Sequence, residues 1–281
     1  MDTSSVGNVG NKAKDKAQRH AGKANEHPAV KMMARGGFIV MGVLHILIGW
    51  IAFRIATGSG GEEASNSGAL GTIADAPGGQ ILLWVAVVAL AALGLWRLSQ
   101  LFVGEEAKDK AKGGVLAVVF FSLAFTTATF ARGSSTSDGD TATDVTAKVL
   151  EQPWGAVLVI IAGLVVLGVG VYNIWNGATK KFKEDLEAGA GSGNVGSGNV
   201  GSAIVGAGMA GYIARGIAFS ILGILIVIAG WKSDPEQAAG LDAALRTLGE
   251  QPFGAVLLVI VGVGLALYGI YSIARARYVK M

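Results

Sequence analysis

Few ionisable side chains lie within the long apolar stretches of this chain, and that setting makes them the first candidates for chemistry. His45 falls eight residues past Gly37, ~12 Å along a helix rising 1.5 Å per residue, close to the middle of a bilayer if the stretch spans one. A proton relay or a ligand contact is the functional account of such a residue. A ring hydrogen-bonded to a backbone carbonyl or a neighbouring hydroxyl is the simpler one. Arg215, four residues past Gly211, can hold a lipid phosphate, cap a helix end or snorkel to headgroups. Arg54, near the end of the first apolar run, is placed to snorkel. Asp75, Glu151 and Glu250 each stand two residues before a proline, where a carboxylate opposes the positive end of the next helix. Grouped around a mouth, they would form a charged ring. Thr126, Thr127 and Thr129 can line a polar seam or bond carbonyls of their own helix.

Other chemistries lack their residues. There is no cysteine, which removes disulfides, thiolate metal sites and thiol nucleophiles together. His20 and His27 stand seven apart and form no HExxH pattern. No serine occupies a GxSxG elbow. The doubled Gly-Ser-Gly-Asn-Val at 191–200 is followed by no GK[ST], so it reads as linker rather than phosphate loop. No catalytic, cofactor-binding or metal residue is expected, and the chain is not expected to be an enzyme.

The elements that would hold these residues are apolar rods. The chain is 52% hydrophobic and 15% charged, against ~25% charged in soluble domains, with mean hydropathy +0.52. Candidate spans fall near 36–57, 80–103, 113–131, 155–176, 211–231 and 253–274. Each approaches the ~20 residues that cross a ~30 Å hydrocarbon core. Continuous runs of this length predict helices, because lipid leaves no other partner for backbone groups. None of the six contains Asp or Glu.

Lys and Arg set the orientation. One side, with both termini, the 104–112 and 177–210 loops and their helix ends, carries 18 of the 23; the other carries Arg54, Arg132, Lys148, Lys232 and Arg246. Both termini are therefore expected in the cytoplasm and the protein in the cytoplasmic membrane. The basic pI of about 9.1 is this topology signal, and no nucleic-acid partner is expected. Lys12, Lys16, Arg19 and Lys23 share a face of the tail if it is helical, a setting for contact with anionic lipid.

The spans repeat. Around Pro77, Pro153 and Pro252 the same features recur: a glycine two residues on (Gly79, Gly155, Gly254), a glycine seventeen on (Gly94, Gly170, Gly269) and an aromatic nineteen on (Trp96, Tyr172, Tyr271). Recurrence of this kind marks a triplicated two-helix unit. Gly37, Gly114 and Gly211 open the first helix of each unit, followed by Gly42, Val119 and Gly216 and then by Gly49, Thr126 and Gly223. Small residues seven apart allow close helix packing. Before each proline a short amphipathic helix is predicted to lie along the interface, clearest at Leu241, Leu245 and Leu248. The chain divides into a polar tail at 1–33, repeats at 34–103 and 104–177, a flexible linker at 178–207 and a third repeat at 208–277. Fold class is all-α. Two-helix units return the chain to its starting side, so all three share one orientation, and the inverted repeats of many transporters are excluded. The choice between a pseudo-threefold bundle and a linear array stays open.

The segments "MAGYIARG" (209–216) and "ALRTLGEQPFGAVLL" (244–258), with degenerate copies "GALGTIADAPGG" (68–79) and "KVLEQPWGAVL" (148–158), resemble the bacterial membrane family known as domain of unknown function 1206. The resemblance covers roughly residues 34–277 and implies three tandem two-helix repeats. It carries no functional residue with it. The expected role is that of an accessory or interaction protein, meeting the bilayer and either a membrane partner or another copy through its glycine faces. The alternative is a small transporter or channel with a pathway near the pseudo-axis or His45.

Overall fold

The computed structural model describes residues 28–103, 107–183 and 199–278. The basic face of the tail and most of the doubled pentapeptide lie outside them. Among the described residues six long helices, α1 (Pro28–Ala56), α3 (Gly79–Val103), α4 (Ala107–Ala131), α6 (Gly155–Ala178), α7 (Asn199–Lys232) and α9 (Gly254–Tyr278), are long and apolar enough to cross a membrane. Three short ones, α2 (Asn66–Ala74), α5 (Asp138–Leu150) and α8 (Gly240–Gly249), precede the three prolines. The fold is all-α, three tandem helical pairs.

Local chemistry sets these boundaries. Ser65 caps α2 by accepting from Gly68 N–H, and Ser137 caps α5 from Asp140 N–H. In α5, Asp138 and Asp140 in the first turn and Lys148 in the last complement the helix dipole. The prolines lie in the turns ahead of the long helices, not in their first turn as the spacing predicts; each helix starts at the glycine two residues on. There a Cβ would strike the backbone oxygen of Ile73, Val149 or Gly249, where the preceding short helix folds back. Asp75, Glu151 and Glu250 prove to be exposed C-cap residues of the short helices. Two domain edges also move. Pro28 is the first residue of α1, where its missing N–H costs nothing, although the sequence places it in the tail. The linker composition of 178–207 predicts coil, yet α7 opens at Asn199, and Ile204, Val205 and Met209 pack against Phe182 and its neighbours.

The long helices form a ring in the order α1, α3, α4, α6, α7, α9. The tightest contacts join successive units: α3 with α4, α6 with α7, and α9 with α1. Two of these three seams are backbone against backbone. A Cβ on Gly42 would lie 2.7 Å from Gly269 O, and one on Gly216 would lie 2.6 Å from Gly170 O. Gly49 and Gly262 meet in the same way further along α1 and α9. In the third seam, Gly94 receives the ring of Phe121. Glycine stripes are thus consumed within the fold, where close approach adds dispersion contacts that lipid cannot replace.

Within units one and three, the two helices also close on each other. Gly36 and Gly37 of α1 face Ala89 and Leu93 of α3, and Gly211 of α7 faces Tyr268 of α9. In unit two, contact between α4 and α6 is all but missing among the described residues. The ring is therefore a pseudo-threefold bundle with one gap.

The seams generate a paired test on one helix. At Gly170 a Cβ would lie 2.6 Å from Ser220 N, while at Gly168 nothing lies within 4 Å. Gly170→Ala should destabilise the protein in detergent by about 1–3 kcal/mol through overpacking. Gly168→Ala should be neutral or mildly stabilising, since alanine gains up to ~1 kcal/mol in a helix over glycine. Thermal unfolding of the two variants decides it, and equal midpoints would rule out glycine-dependent seams.

Candidate functional site

Polar groups gather in three places. At the loop side, where α2, α5 and α8 lie, residues from all three units interlock. Asp138 accepts from Ser67 N–H at 3.2 Å and Ser67 Oγ at 2.7 Å, Glu63 accepts from Ser65 and Ser137, and Asp242 Oδ1 accepts from Ala64 N–H at 2.8 Å. Arg246 holds the other oxygen of Asp242 at 2.6 Å. Arg54 donates to both oxygens of Glu62 at 2.8 and 2.9 Å and to Ser59 O at 2.9 Å. Glu62's own backbone N–H and then this guanidinium hold its carboxyl below the usual range. These contacts staple the loops over the bundle.

The second place joins the two intramembrane candidates. His45, buried on α1, donates from Nδ1 to Met41 O at 2.7 Å, since a carbonyl only accepts. Its ring lies 4.8 Å from that of Tyr268. Arg215, on α7, donates to the Tyr268 hydroxyl and places its guanidinium 4.8 Å over the Tyr268 ring and 5.2 Å over Phe219. It is folded inward rather than snorkelled, and its buried Nε makes no hydrogen bond among the described residues. Cation–π contact of this kind offsets part of the cost of a cation with no carboxylate within its span. His45 and Arg215, from units one and three, therefore converge on Tyr268, a residue the sequence argument passed over. Its signal was there: Tyr268 and Tyr271 stand three apart on one helical face.

Beyond them, Phe182, Tyr212, Tyr268 and Tyr271 pack as an aromatic box with ring centroids 5.1 to 6.1 Å apart. Gly208 makes room for it, since a Cβ there would lie 2.6 Å from Phe182. Toward the same basic side, Phe38 lies between the guanidinium groups of Arg97 and Arg275, at 6.0 and 5.4 Å. The anchors Trp96 and Tyr271 are buried core residues, whereas Tyr172 of unit two is 55% exposed.

The third place is the gap. Between α4 and α6, roofed by α5, lies a cavity of about 640 Å³ lined by Ser122 and Thr126, by Thr141 and Thr146 of the roof, and by Leu158 and Ala162. Each lining position has counterparts in the other units. Seven residues before the proline, Leu70 and Leu245 are fully buried, and the third copy is Thr146. Nine residues after it, Ala86 and Val261 are buried, while Ala162 is exposed. Sixteen after, Leu93 and Tyr268 are buried and Val169 is open. Thr126, expected in a small-residue packing stripe, faces this cavity instead, and Val119 faces outward. Among the described residues no group of three or more His, Asp or Glu is placed to hold a metal.

Three co-oriented helical pairs with glycine seams, six membrane-length helices and a short helix before each proline define a multi-pass α-helical membrane protein of internal repeats. The chain belongs to the family described as Domain of Unknown Function (DUF1206), whose model matches it three times, at residues 36–102, 111–180 and 210–279. It is also similar to the uncharacterized protein YxxB of Bacillus subtilis (strain 168), 29% identical over 268 residues that cover 92% of this chain and 94% of the relative. No solved structure matches the chain.

The Arg215–Tyr268 pair is testable by a double-mutant cycle. Tyr268→Phe removes the acceptor of a charged donor and should cost about 1.5–3 kcal/mol. Arg215→Leu combined with Tyr268→Phe should cost less than the two single changes added, because the pair is coupled. Unfolding midpoints in detergent measure both, and strict additivity would show the contact to be idle.

Proposed function

We propose that this protein is an accessory protein of the cytoplasmic membrane, with both termini in the cytoplasm, that acts by binding a membrane-borne partner from the side. It neither catalyses a reaction nor conducts along its pseudo-axis. The observation carrying this reading is the contrast between a shut interior and one open flank. Leu44, Ile48, Leu83, Leu90, Leu93, Leu245 and Leu258 are at most 2% exposed, which leaves no water beside them, and the aromatic box fills the basic half of unit three. The flank between α4 and α6 is where hydroxyls and unpacked apolar side chains face the bilayer together. Docking through the glycine stripes is not part of the reading, since those stripes are buried in the seams.

Solute passage is the competing reading, and the convergence of His45 and Arg215 is what favours it. Against it stand the packing of both residues on Tyr268 and the absence of any carboxylate in the spans. Intramembrane carriers of protons and cations commonly rely on such groups.

The chain has no cysteine, so single-cysteine labelling tests the open flank cleanly. A nitroxide on Ala162→Cys should be mobile and relaxed by oxygen dissolved in the bilayer. On Ala86→Cys and Val261→Cys, the matching positions of the closed units, it should be immobilised. Vesicles holding the protein should pass ions and small solutes no faster than empty ones. Immobilisation at 162, or a flux that His45→Ala reduces, would overturn the reading.

A further inference from the structure

We propose that the cavity of unit two is a binding site for an uncharged amphiphile, a lipid with an apolar chain and a hydroxyl or ester head. This rests on the lateral-binding reading and names what enters. The first argument is internal. The same two-helix motif is built three times, and in two copies the space under the short helix is filled by paired leucines, Leu70 with Leu83 and Leu245 with Leu258, all at most 1% exposed. In the third copy these become Thr146 and Val159, and the second helix no longer covers the first. The motif can close, so the opening is a property of these side chains and not of the architecture.

The second argument is the chemistry of the lining. Its floor, Leu158, Val159 and Ile226, is apolar, and its upper part carries hydroxyls. Thr141 bonds back to Ser137 O, but the hydroxyls of Ser122, Thr126 and Thr146 make no hydrogen bond among the described residues. None of the three is sealed in the core, since Ser122 is exposed and Thr126 and Thr146 are half-buried, so a ligand's hydroxyl or ester oxygens can reach and bond them. Among the described residues the lining includes no Lys or Arg, and its one carboxylate, Asp138, is already engaged by Ser67. A phosphate head would meet no cation and one negative charge, which selects for a neutral head. A volume of about 640 Å³ falls within the ~300–1,000 Å³ of small-molecule sites. The gap between α4 and α6 lets a chain enter from the bilayer without crossing water.

The test uses the full chain in phosphatidylcholine vesicles containing a trace of diacylglycerol with a photoreactive diazirine in its acyl chain. After irradiation, mass mapping should find label concentrated at 122–126 and 158–162, removed by excess unlabelled diacylglycerol. Thr146→Leu restores the leucine of the sister units and should cut that label at least tenfold while leaving the unfolding temperature equal or higher. Thr146→Ser keeps the hydroxyl without added bulk and should keep the label; Ala162→Leu should fill the cavity from the other wall and repeat the loss. Label spread evenly over lipid-facing positions such as Ile81 and Val85, or unchanged by both leucine variants, would overturn the proposal. So would equal cavity labelling by a diazirine phosphatidylglycerol. If the cavity stays unlabelled while the nitroxide at 162 remains mobile, the ligand class is wrong and lateral binding stands; an immobile nitroxide removes both.

Discussion

Everything in this fold depends on helices meeting at backbone distance inside a solvent that supplies no hydrophobic drive for them to meet. Lipid tails are as apolar as leucine, so association must come from close packing and interhelical polar contacts. Gly42 with Gly269 and Gly216 with Gly170 provide that approach at equivalent seams between successive units. Helix contact is thus most extensive between repeats, although Gly211 also meets the Tyr268 backbone within unit three.

That distribution explains how one repeat can gape while the bundle holds. Helix α4 is held by α3, and α6 by α7, whether or not α4 and α6 touch. The loop-side staples add to this, since Ser67 of unit one holds Asp138 at the head of α5. Unit two can therefore lose its own closure without losing its place. The polar and aromatic side chains divide along the same line. Where helices close, as in unit three, a cation is stacked on rings and bonded to a tyrosine; where they do not, the side chains are short and hydroxylated.

Much of the architecture was legible because its signals are local and repeated. Unbroken apolar runs gave the spans, and the leucine spacing at Leu241, Leu245 and Leu248 anticipated a short helix that the structure places at Gly240–Gly249. Recurring glycines marked packing faces, but their partners were not legible, since spacing along one helix does not say which helix faces it. His45 and Arg215 stood out as ionisable groups in apolar runs. Their meeting on Tyr268 did not, because it joins residues 53 positions apart through a bundle whose order only tertiary packing decides. The partner of Arg54 was not legible, because only the folded loop returns Glu62 to it. Thr146 as the counterpart of Leu70 and Leu245 was not legible, because apolar Val145 beside it fits the helical stripe equally well until the space next to Thr146 is seen to be empty.

Internal repetition then serves as a control that a single-copy protein lacks. A cavity in an isolated fold has two explanations, imperfect packing or a vacancy kept for a ligand, and volume alone does not separate them. Here Leu70 and Leu245 show what the motif does when it packs. A leucine lost to threonine removes volume and adds a hydroxyl at once, a change that lowers stability in lipid unless something bonds the hydroxyl and fills the space. The two losses point to one kind of occupant, apolar along its length and polar at one end. The polar pair at His45 and Arg215 differs, since it is packed against the Tyr268 ring and bonded to Met41 O and the Tyr268 hydroxyl. The asymmetry between repeats, more than the presence of any unusual residue, is therefore what supports the proposal of lateral binding at the flank of the second unit.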